Sequence, residues 1–72
     1  MKKISLKNVV WKEGNTYVSL NLNTSVSSFG DTRKEALAAL TEALELYFED
    51  VPISDVGEVV RPDIVPLSLK HA

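Results

Sequence analysis

Seventy-two residues with a formal charge of -2, 44% hydrophobic and 25% charged, have the composition of one ordinary globular domain. A chain this short hides only about 60% of its unfolded surface, which leaves little room for an enzyme pocket. The acidic balance speaks against nucleic acid, because a phosphate backbone needs clustered Lys and Arg, and only Lys2, Lys3 and Lys7 come near to a cluster. With no Cys in the chain, disulfides, thiolate metal sites and thiol nucleophiles are excluded.

The opening MKKISLKNVV starts like a secretory signal, but Ser5, Lys7 and Asn8 interrupt any apolar stretch. No run approaches the roughly 18 apolar residues of a spanning helix. The expectation is a cytoplasmic protein with no membrane association. Ile4 to Lys12 reads as a first strand, with Ile4, Leu6 and Val10 on one parity and Val9 and Trp11 on the other. Glu13, Gly14 and Asn15 read as a three-residue hairpin loop in which Gly14 or Asn15 takes a positive φ. Thr16 to Asn23 alternates cleanly. Val18, Leu20 and Leu22 are expected to face the core, and Tyr17, Ser19, Asn21 and Asn23 to face water or a partner. Asn23 and Thr24 mark a second turn, and Ser25 to Phe29 a short third strand.

Gly30, Asp31, Thr32 and Glu35 then form the entrance to a helix. Thr32 and Glu35 fit the S/T-x-x-E capping box, Gly30 frees the backbone to turn, and Asp31 complements the helix dipole. These acids already occupy the anion-binding end, so the corner reads as a structural cap and not as a phosphate cradle. The helix is predicted over about Arg33 to Glu49. Ala36, Leu37, Leu40, Ala43, Leu44, Tyr47 and Phe48 share its buried arc. Glu42, Glu45, Glu49 and Asp50 lie outside that arc, and the last three sit where the dipole disfavours acids. Leu46 lies about 120° from the centre of the arc. Glu42, Glu45, Leu46, Glu49 and Asp50 read either as a solvated face that tolerates small costs or as the candidate surface for a basic partner, with Leu46 as its apolar anchor.

Pro52 ends the helix. Val59, Val60, Ile64, Val65, Leu67 and Leu69 resume strand composition, while Pro62 and Pro66 confine any fourth strand to an edge. The lone histidine, His71, has no orienting partner in sequence and no second ligand at metal spacing, and Ser27 and Ser28 lack a base. No catalytic, cofactor-binding or metal-binding residue is expected, and the chain reads as a binding module and not an enzyme.

The hairpin WKEGNTYVSL followed by VSSFGDTRKEALAALTEALELYFED resembles the HicB-like antitoxin family over about residues 4 to 50. The matching positions are Gly14, Tyr17, Val18, Ser28, Gly30, Asp31, Thr32, Glu35, Ala36, Leu37, Glu42, Ala43, Leu44, Glu45, Leu46 and Tyr47. Phe29 departs from the pattern, standing where relatives often carry Gln.

The resemblance implies an α+β fold of β-β-β-α-β order: a three-stranded antiparallel sheet, one amphipathic helix packed on it and a fourth edge strand, similar to a partial ribonuclease H domain. It implies a single domain over residues 1–72, with its core at about 3–50 and a loop and edge strand at about 51–70. It further implies an antitoxin of a type II toxin-antitoxin system, occluding a small basic HicA-type RNA-cleaving toxin. The residues after Pro52 are too few and too interrupted by proline for the DNA-binding region of many relatives, so no direct DNA or RNA binding is expected. No cofactor is expected. Self-association into a homo-oligomer is, and a stand-alone self-associating module is the alternative function.

Overall fold

A computed structural model describes residues 5–70. Its elements are β1 (Asn8–Glu13), β2 (Thr16–Asn21), β3 (Ser27–Gly30), α1 (Arg33–Asp50) and a short 3-10 helix (Ile53–Asp55). The strands form one antiparallel sheet in the order β1-β2-β3, and α1 packs on it, so the chain is an α+β protein.

β1 and β2 pair from Glu13↔Thr16 to Asn8↔Asn21, so the hairpin loop is the dipeptide Gly14-Asn15 and not a three-residue loop. Gly14 has φ +58 while Asn15 stays out of the left-handed region, which puts glycine where a type II′ turn needs it. The predicted start of the first strand at Ile4 lies outside the described residues. At the far end, Asn23 ties segments together. Its Oδ1 accepts from the Lys7 amide at 2.9 Å and its Nδ2 donates to the Gly57 carbonyl at 2.7 Å.

The helix covers the face of the sheet opposite to the one that alternation suggested. Ser19 and Asn21 are fully buried, and the Ser19 hydroxyl donates to the Ala36 carbonyl at 2.8 Å. The register lines up Ser19 with Ser28 and Tyr17 with Gly30 on that side, a floor of mostly small side chains. Small groups let a helix approach a sheet closely, and a hydroxyl or amide can be buried at little cost when its hydrogen bonds are made. They are made here: no buried side-chain polar atom lacks a partner among the described residues.

The helix side of this contact follows the predicted arc. Ala36, Leu40 and Leu44 are buried, and Leu37, Ala43, Tyr47 and Phe48 are half-buried. The Tyr47 and Phe48 rings meet edge to face, with centroids 5.2 Å apart. Val51 is extended ahead of Pro52, as the proline ring requires, and its amide closes the helix on the Tyr47 carbonyl at 3.2 Å.

The expected fourth strand is not formed. Residues 56–70 make no ladder, and every residue from Val60 to Lys70 is exposed. Pro62 and Pro66 bring no amide hydrogen, and Arg61, at φ +52, turns the chain in the left-handed region where a strand cannot continue.

Candidate functional site

The corner before α1 is structural in every contact it makes. Thr32 is the N-cap, and its Oγ1 accepts from the Glu35 amide at 3.1 Å. The reciprocal half of the capping box, Glu35 reaching back to the Thr32 amide, is absent, and Glu35 lies exposed. Thr32→Ala is expected to cost about 1 kcal/mol in a urea melt and to leave partner binding unchanged once folding is corrected for.

Gly30 is glycine for a reason the sequence reading missed. Its φ is not positive. A Cβ there would stand 2.6 Å from the Ala36 nitrogen and 2.8 Å from the Glu35 carbonyl carbon, so the first turn of the helix rests directly on this residue.

Asp31 is exposed beside this corner, while Arg33 and Lys34 open the helix with positive charge and its last turn holds no basic residue. Acids gather at the other end, with Glu45, Glu49 and Asp50 exposed. The charges therefore run against the helix dipole at its C-terminal end and in part at its N-terminal end. At 100° per residue, Glu42, Glu45, Leu46, Glu49 and Asp50 fall within about 140° of arc and span about 12 Å of axis. All five are exposed, and Leu46 is 67% exposed. The structure thus brings the predicted partner surface together as one acidic strip around an apolar side chain, on the side of α1 away from the sheet.

A second surface went unrecognised in the sequence. Val9, Trp11, Val18, Leu20 and Phe29 share the sheet face opposite the helix, with Trp11, Val18 and Phe29 in register across all three strands. No second layer of helix or sheet packs on this face among the described residues, and Phe29 is 69% exposed. Phe29 therefore belongs to an open surface and not to the core. Alternation in β1 and β2 groups these residues on one face but does not say which face the helix covers.

No group of three or more His, Cys, Asp or Glu among the described residues is placed to hold a metal, and no helix among them is long and apolar enough to cross a membrane. His71 lies outside the described residues.

A family model described as a family of unknown function, DUF7387, matches residues 5–64, and the chain belongs to that family. No curated protein and no solved structure matches it.

Proposed function

We propose that this member of the DUF7387 family is a HicB-like antitoxin, a cytoplasmic, non-catalytic binding module that occludes a small basic HicA-type RNA-cleaving toxin and does not itself bind DNA or RNA. The observation that carries the reading is the exposed Leu46 set among Glu42, Glu45, Glu49 and Asp50 at a helix end with no basic residue in its last turn. A helix that serves only to cover a sheet gains nothing from acids there, since each works against the dipole by a few tenths of a kcal/mol. A basic partner gains both steering and an apolar anchor. The order of the hairpin, the capped Gly-Asp-Thr corner and the Glu-Ala-Leu-Glu-Leu-Tyr helix supports the antitoxin assignment through its resemblance to that family.

The test is toxin affinity at two salt concentrations together with thermal melting. Changing Glu45 and Glu49 to Gln is expected to stabilise the free domain by about 0.3 kcal/mol, by relieving like-charge and dipole repulsion. The same change is expected to weaken toxin association and flatten its salt dependence. Leu46→Asp is expected to weaken the complex further with little effect on melting, because that side chain is exposed. Equal binding by all variants would rule out the helix surface. A parent that binds no co-encoded toxin would favour a stand-alone self-associating module, which the open apolar sheet face also suits.

A further inference from the structure

The chain exposes 6166 Å² at a mass of 7.9 kDa, whereas a compact monomer of that mass exposes about 4,400 Å². Its radius of gyration is 14.3 Å, against about 11 Å for a compact chain of this length. The excess of about 1,800 Å² exceeds the roughly 800 Å² that each partner contributes to a stable interface. Much of it has an address. Ile64, Val65, Leu67 and Leu69 are 87%, 66%, 85% and 86% exposed along an extended segment, and on the open sheet face Trp11 and Phe29 are 39% and 69% exposed while Val9, Val18 and Leu20 are half-buried.

We propose that the partner of that extended segment is a second copy of this chain. Residues 62–70 of each copy add as a fourth strand to the β1 edge of the other. The proposal does not depend on the antitoxin reading, because the sheet face lies opposite the helix strip that reading uses.

The segment's proline spacing is what makes it fit. In an extended chain, residues of one parity turn their amides to the same lateral edge. Pro62 and Pro66 share a parity, so one edge loses two donors and keeps those of Ile64, Ser68 and Lys70, while Asp63, Val65, Leu67 and Leu69 give the other an unbroken row. On β1, the Lys7 carbonyl accepts from the Leu22 amide at 2.8 Å, so odd-numbered residues turn their backbone toward β2. Asn8, Val10 and Lys12 turn theirs outward, free to pair.

A strand joined parallel to β1 through its odd residues lays Val65, Leu67 and Leu69 on the open face beside Val9 and Trp11. Nine extended residues reach about 30 Å and six-residue β1 about 20 Å, so the segment spans the edge. The donor-poor proline edge then faces solvent and stops further strand addition, closing the assembly as a twofold dimer and not a fibre. The segment's own sheet does not receive it in this structure, where Arg61 at φ +52 turns it away.

The experiment combines sedimentation velocity over a concentration series with the emission of Trp11, the single tryptophan, on the full 72-residue chain. The expected result is a dimer in which Trp11 emission moves to the blue as concentration rises. Leu67→Asp with Leu69→Asp is expected to give a folded monomer with red-shifted Trp11, since both side chains are exposed within one copy. Leu67→Pro, which removes an amide from the pairing edge, is expected to dissociate the dimer, whereas Ser68→Pro, on the proline parity, leaves it intact. A parent that stays monomeric at all concentrations, with Trp11 either exposed or buried by its own chain, overturns the proposal. So does a dimer that survives both the Asp pair and Leu67→Pro, or one that Ser68→Pro and Leu67→Pro disrupt equally.

Discussion

Asn21→Ala is expected to destabilise the domain by about 3 kcal/mol, the largest effect of any single polar change in the sheet. The Asn21 side chain is fully buried and makes four hydrogen bonds. Its Nδ2 donates to Asn8 Oδ1 at 2.8 Å and to the Lys7 carbonyl at 3.4 Å. Its Oδ1 accepts from the Thr24 amide and the Thr24 hydroxyl, each at 2.8 Å. One side chain thus ties the start of β1 to the turn that launches β3. That turn needs the help, because Ser25 follows at φ +68, an uncommon conformation for a residue with a Cβ. Alanine leaves the half-buried Thr24 amide, the Thr24 hydroxyl and Asn8 Oδ1 without this partner at once, and losing a partner for a group shielded from water costs more than the net worth of the bond itself.

In a chain of this size a loss of 3 kcal/mol lowers Tm by about 15 °C or more. Urea melts of Asn21→Ala and Asn21→Asp check it. The Asp variant keeps the two accepted bonds but sets a buried carboxylate oxygen against two acceptors, Asn8 Oδ1 and the Lys7 carbonyl, so it is expected to lose at least as much as Ala. A loss below about 0.5 kcal/mol for Ala would mean that solvent replaces the network and that the turn holds itself.

Gly30→Ala is expected to cost about 2 to 3 kcal/mol, by overpacking at a contact that cannot yield. The methyl would meet backbone at the Ala36 nitrogen and the Glu35 carbonyl carbon, together with the Glu35 Cβ at 2.8 Å. None of these is the free end of a flexible side chain. The first turn of α1 would have to lift, which stretches the Ser19 to Ala36 hydrogen bond of 2.8 Å and exposes Ala36, now fully buried. The change is expected to be non-additive with Ser19→Ala, because both loosen the same helix-sheet contact. A double-mutant cycle read by urea denaturation tests this. Full additivity would show that Gly30 and Ser19 act on separate contacts. Gly14 is glycine for a different cause: its φ is +58, and nothing lies within 4 Å of the Cβ it lacks.

The local elements were legible in the sequence because local chemistry specifies them. The Thr32 N-cap and Pro52 bracket the helix, and the observed Arg33–Asp50 differs from the predicted end by one residue. The buried arc of α1 follows from the 3.6-residue period, and the exposure of Glu42, Glu45, Leu46, Glu49 and Asp50 follows from the same geometry. Gly14-Asn15 punctuates the hairpin, and alternation in β2 divides its side chains into two sets.

Which of those two sets the helix covers was beyond the sequence. Hydrophobicity alone assigns Val18 and Leu20 to the interior and Ser19 and Asn21 to solvent. The tertiary structure reverses this, because close approach of a helix backbone selects for small side chains, and Ser19 and Asn21 find every partner they need once buried. Gly30 belongs to the same class, since the atoms that exclude a Cβ there come from a neighbouring element that only folding brings near.

The fate of residues 56–70 also lay outside local reach. Their strand-like composition is real, but a strand exists only when an edge accepts it, and within one copy none does among the described residues. Composition and periodicity thus settled the hairpin, the third strand and the helix, but not the fourth strand. The choice of buried sheet face, and whether the last apolar segment has a partner, depend on contacts between elements far apart in sequence, which carry no local signature.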